Sequence, residues 1–126
     1  CGSYGIYNLT EADFPVLTTI SGERGMANAF YACHALTTVD FSTLSTLTGR
    51  QALNYCFASC TSLRHIYFPS ITSTSFGSSY TNQFQNMLSK VSGCTLHFKP
   101  EAQTAVQGLT QYPNFGGTNT TVLFDL

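Results

Sequence analysis

Apolar side chains return along this chain at a fixed interval. Phe30, Cys33, Leu36, Val39 and Phe41 are matched 27 residues later by Phe57, Cys60, Leu63, Ile66 and Phe68. The same step carries Phe14, Leu17, Ile20, Gly22 and Met26 onto Phe41, Leu44, Leu47, Gly49 and Leu53, and Asp13 onto Asp40. Self-similarity at such a period marks a solenoid: one unit cannot bury its apolar face alone, and stacked units can. Taken forward, the step reaches Phe84 and Met87 as the continuation of Phe57 and Cys60. Leu96-His-Phe98 then arrives three residues late, which implies an insertion around Ser89 to Gly93.

The coils therefore run over about 3–29, 30–56 and 57–83, with a partial coil at 84–99, so that residues 1–99 form one solenoid. Each Leu-x-x-Val/Ile-x-Phe predicts a short strand with alternate side chains inward, and the segment from Gln51 to Cys60 predicts a turn or short helix. Stacked strands make a parallel sheet on one face. Beyond them, Pro100 opens a predicted helix over Glu101 to Gln107, with Ala102, Val106 and Leu109 on one stripe and Gly108 as its stop signal. Thr121 to Phe124 predicts a last strand, and residues 100–126 are expected to be a C-terminal helix-strand cap.

Leu36-x-x-Val39-x-Phe41 and Leu63-x-x-Ile66-x-Phe68-Pro69, each preceded by Phe-x-x-Cys, resemble the BspA-like bacterial leucine-rich repeats. Their usual pattern is close to Phe-x-x-Cys-x-x-Leu-x-x-Ile-x-Ile-Pro. The likeness covers residues 9–99 and is strongest in the two middle coils. The period is longer than is usual in that family, Met87 stands for the third Cys, and only Pro69 keeps the strand-ending proline. The resemblance implies an α/β repeat fold, a leucine-rich-repeat solenoid, and a role as a cell-surface adhesion or interaction module.

Composition narrows the functional classes. Only 9% of the 126 residues are charged and the net charge is -1, so the basic excess expected of a nucleic-acid binder is missing. Eighteen Thr and 13 Ser take the place of charge as the solvating surface, a usage common in extracellular β-rich proteins. No apolar run reaches a membrane span. The chain opens on Cys1 without a charged and apolar leader, as a fragment or processed product does; a lipidated Cys would normally be followed by a flexible tether.

The chemistry is sparse. Cys33 and Cys60 fall at equivalent places on adjacent coils, where a disulfide or a ladder of buried reduced thiols would fit. Met87 at the third rung favours the ladder, and Cys1 is then the reactive thiol. Cys56, Cys60 and His65, or Cys33 and His34, lack the spacing of a metal site, and no metal or other cofactor is expected. Two glycosylation acceptor patterns, at Asn8 and Asn119, are incidental in a bacterial chain. No catalytic motif stands in a fitting structural context, so an enzyme is not expected.

The outward positions of the strand face carry the functional expectation. Asp13, Asp40 and Tyr67 share one row, which His97 joins once the insertion is allowed for; His65 lies one outward step earlier. These five are the candidate ligand contacts, because a solenoid sheet is a broad rigid platform and Tyr and His combine contact area with polar tips. The expected function is a non-catalytic extracellular binding or adhesion module, bacterial or phage-associated, contacting a protein or glycan of a host or neighbouring cell. The alternative is a subunit of a self-assembling fibre, appendage or phage tail tip, joined through coil ends or Cys1.

Overall fold

The computed structural model describes residues 9–126. Seven short strands and one helix follow in order: β1 (Glu11–Asp13), β2 (Thr19–Ile20), β3 (Thr38–Asp40), β4 (Thr46–Leu47), β5 (His65–Phe68), β6 (Thr95–Phe98), α1 (Gln103–Gln107) and β7 (Thr121–Leu123). They form a parallel β-solenoid. One sheet has the order β1-β3-β5-β6-β7, and β2 pairs with β4 in a second, two-stranded sheet around the corner.

Alternation within each strand decides which side chains meet. Val39, Ile66 and Leu96 point inward and are fully buried, and they are partners across the sheet, with Ala12 before them and Val122 after. A second inward column consists of phenylalanines. Phe14 stacks on Phe41 at 4.9 Å between ring centroids, Phe41 on Phe68 at 5.2 Å, Phe68 on Phe98 at 4.9 Å, and Phe98 lies 6.0 Å from Phe124. Identical residues at identical coil positions give the core its continuity, since each ring fills the space left by the ring below.

The third side takes the turn alternative of the expectation and not the short helix. Between Arg24 and Cys33, amide groups alternate in what they do. Those of Arg24, Met26, Asn28, Phe30 and Ala32 donate to the next coil, at the carbonyls of Arg50, Ala52, Asn54, Cys56 and Ala58. The intervening Gly25, Ala27, Ala29, Tyr31 and Cys33 donate three residues back. A helix would satisfy its amides internally and leave the neighbouring coil unpaired; this train of linked turns serves both needs. It holds every fourth residue at positive φ: Arg24, Asn28 and Ala32, then Gln51, Tyr55 and Ser59, then Asn86 and Lys90.

Hydroxyl side chains also do more than solvate. Thr43 Oγ1 donates to the carbonyls of Phe14 and Leu17 on the preceding coil, at 3.0 and 2.7 Å. Ser70 Oγ donates to Ser42 O at 2.6 Å and Thr37 Oγ1 to Thr10 O at 3.0 Å. The hydroxyls thus add bonds between coils at the corners, and Thr37 Oγ1 shares the Thr10 carbonyl with its own amide.

The third coil corrects the sequence register. Leu53 N donates to Gln83 O where Met26 N donates to Ala52 O, and Phe57 N donates to Met87 O where Phe30 N donates to Cys56 O. Phe84 thus occupies the place of Leu53, Leu88 that of Phe57, and Val91, rather than Met87, that of Cys60. The extra residues lie within 72–83, before the expected Ser89 to Gly93, where the chain is one residue shorter than the coil above. The net delay of three at β6 is as expected.

The tail is also more than a cap. α1 follows a single 3₁₀ turn at Pro100–Ala102, and Ala102, Val106 and Leu109 are buried as the stripe predicted. β7, however, pairs in parallel with β6 and adds a fifth strand in register, His97 opposite Leu123.

Candidate functional site

The outward row forms as the sequence register predicts: Asp13 pairs with Asp40, Asp40 with Tyr67, and Tyr67 with His97. His65 sits in the adjacent outward row, between Thr38 and Thr95. Side chains then divide the row into an acidic half and an aromatic half.

In the aromatic half, the rings of Tyr67 and His97 stack with centroids 4.5 Å apart and planes within 14°. His65 lies 5.9 Å from Tyr67 and 5.2 Å from His97. Nitrogen contacts fix this cluster: His65 Nδ1 is 3.0 Å from His97 Nε2, and His97 Nδ1 is 3.0 Å from both oxygens of Asp125. His97 is only 7% exposed, so it buttresses the face rather than meeting a ligand broadly. His65 is exposed and presents its Nε2 edge. Asp125 did not emerge from sequence reasoning. The signal was the match of Thr95-Leu-His-Phe98 with Thr121-Val-Leu-Phe124, which places Asp125 just past a fifth strand on the side of His97.

In the acidic half, Asp13 is exposed and Asp40 half-buried. Asp40 Oδ1 is buried with no hydrogen-bond partner among the described residues. Burial first, and the neighbouring Asp13 charge second, push the Asp40 carboxyl above its usual range. The sign follows from linkage. A carboxyl raised in the folded state contributes stability that is complete below the ordinary value and is lost as pH rises through the raised one. Asp40→Asn is therefore expected to raise stability at neutral pH, and to flatten the pH dependence of chemical unfolding across the carboxylate range. Unfolding midpoints measured across that range check it.

The thiols lie apart from this face. Cys33 and Cys60 are fully buried on adjacent rungs, but Cys33 is disulfide-bonded, which corrects the expectation that it is reduced. Cys56, Cys60 and Cys94 are free, so Cys33 and Cys60 do not pair with each other. Cys1 lies outside the described residues. Cys60 Sγ donates to Phe30 O at 2.9 Å. Burial pushes all three free thiols up, Cys60 to about 11 and Cys94 to about 12, which suppresses the thiolate needed for reaction. Iodoacetamide at mildly alkaline pH is expected to leave these three unmodified in the native protein and to label all three after unfolding, as peptide mass mapping would read.

Among the described residues no group of three or more His, Cys, Asp or Glu side chains is placed to hold a metal ion, no pocket opens, and no helix is long and apolar enough to cross a membrane. No protein-family model matches the chain, and neither the curated proteins nor the solved structures contain a significant match.

Proposed function

We propose that this chain is a non-catalytic binding module of the BspA-like leucine-rich-repeat kind, displayed outside a bacterial cell or on a phage. Its sheet face contacts a protein or glycan of a host or neighbouring cell. The observation that carries the reading is the ordered cluster of His65, Tyr67 and His97, braced by Asp125. Side chains that serve only to solvate a strand need no brace, whereas a contact surface loses less entropy on binding when its rings are held in place. The acidic half agrees: Asp40 is kept beside Asp13 at a cost to stability, which a ligand group bridging the two would offset.

An immobilised panel of mammalian and bacterial surface glycans and matrix proteins provides the test. For any panel member that binds the native chain, Tyr67→Ala is expected to weaken binding at least about tenfold, through loss of contact area. Arg50→Ala, which removes only an exposed ion pair with Glu23 on the opposite side, is expected to leave it unchanged. Binding lost equally in both variants, or in neither, would move the site off the sheet. Mass measurement on the same native protein separates the second reading, a self-assembling subunit, which half-exposed Leu123 and Leu126 on the last coil favour.

A further inference from the structure

The nitrogen chain Asp125–His97–His65 has only one arrangement of hydrogens when both imidazoles are neutral. A carboxylate can only accept, so His97 Nδ1, 3.0 Å from both Asp125 oxygens, must carry its hydrogen. His97 Nε2 is then a lone pair, and His65 Nδ1, 3.0 Å away, must donate to it. The remaining atom, His65 Nε2, is left as a lone pair on an exposed residue, with no protein partner among the described residues.

One added proton reverses that atom. If it rests on His97, both His97 nitrogens donate, His65 Nδ1 accepts, and His65 Nε2 carries a hydrogen. If it rests on His65, Nδ1 still donates to His97 and Nε2 again carries a hydrogen. Either way the outward atom changes from acceptor to donor, and the cluster gains a positive charge. A second proton would set two N–H groups against each other across the 3.0 Å contact and break it.

The surroundings select the ligand. Toward His65 and His97 face Tyr67 on β5, Asp40 on β3 and Asp125 beyond β7, with Glu11 and Asp13 further along on β1. The neighbouring Arg64 turns its guanidinium to the carbonyls of Thr61 and Leu63. None of the five strands of this sheet contains Lys or Arg; the exposed Lys99 follows β6, two residues beyond His97. An acceptor nitrogen beside an aromatic ring in an acidic row suits a group that only donates and is positively charged. We propose that His65 Nε2, set by His97 and Asp125, is the acceptor for a protonated primary amine of the ligand, and that one proton taken up by the histidine pair abolishes this recognition. The inference rests on the sheet face being the binding surface. Such an amine comes from a lysine side chain or from an amino sugar.

Nitrogen-15 spectra of the histidine rings test the relay without any ligand. In spectra where both rings are neutral, His65 is expected as the Nδ1–H tautomer, and Asp125→Ala should shift it toward Nε2–H. Asp125 is half exposed, so this variant keeps its fold. An Nε2–H tautomer in the native chain overturns the relay. The probes for the ligand are Nα-acetyl-lysine amide and methyl glucosaminide at millimolar concentration, with their N-acetylated counterparts. Shifts at His65 and Tyr67 from either amine, lost on N-acetylation, lost on acidification once the ring spectra show one added proton, and weakened at least about threefold in Asp125→Ala, support the proposal; the amine that acts names the source. The expected tautomer with no response to either amine, or an equal response to the acetylated probes, overturns the ligand class alone. It leaves the sheet-face reading to be judged by Tyr67→Ala.

Discussion

Phe68→Ala is expected to destabilise the protein by about 3–5 kcal/mol, the range for emptying a fully buried aromatic site. Phe68 is the middle ring of the five-membered column, stacked between Phe41 and Phe98, with Phe84 edge-on at 5.7 Å. Truncation removes ring contacts to coils on both sides at once. The surrounding side chains cannot close the void, because each is fixed by the repeat to its own rung. Phe124→Ala, at the half-buried end of the same column with one stacking neighbour, should cost markedly less. Chemical denaturation of the two variants reads the contrast, and equal losses would mean that the column is not the core.

Gly49→Ala is expected to be nearly as damaging, at about 3 kcal/mol, the upper part of the usual overpacking range. A Cβ at position 49 would collide with the carbonyl oxygen of Gly22 and lie 2.9 Å from its carbonyl carbon. Both are backbone atoms of the neighbouring coil, so relief requires the coils to separate. Gly22, the equivalent residue one coil earlier, has nothing among the described residues within 4 Å of the same added atom. Gly22→Ala should leave stability unchanged or raise it slightly, through lower entropy of the unfolded chain. The pair makes one substitution at one repeat position with opposite outcomes, measurable by thermal unfolding.

How much of this was legible in the sequence depends on what the repeat encodes. The inward columns and the outward row follow from a step of 27 residues, because strand alternation converts position directly into direction. Asp13, Asp40, Tyr67 and His97 were placed correctly for that reason. The third coil misled because the apolar pattern of 84–91 tolerates a shift: Phe84 and Met87 match Phe57 and Cys60 in kind, while Leu88 and Val91 hold their places in space. The turn train was hidden because it puts Ala32, Tyr55 and Lys90 at positive φ, where glycine would have announced it. Asp125 was missed because a tail expected to cap the solenoid was not given a strand register.

The proposed binding face exists only if the strands are aligned as described, and a slip of one residue would turn Tyr67 into the core and Ile66 outward. Scalar couplings across hydrogen bonds report that alignment. The amide of Phe14 is predicted to couple to the carbonyl carbon of Asp40, that of Phe41 to Tyr67, and that of Thr121 to Cys94, matching bonds of 3.2, 2.9 and 3.0 Å. A coupling from Phe41 to Ile66 or Phe68 in place of Tyr67 would contradict the register, and with it the row on which the proposed binding surface depends.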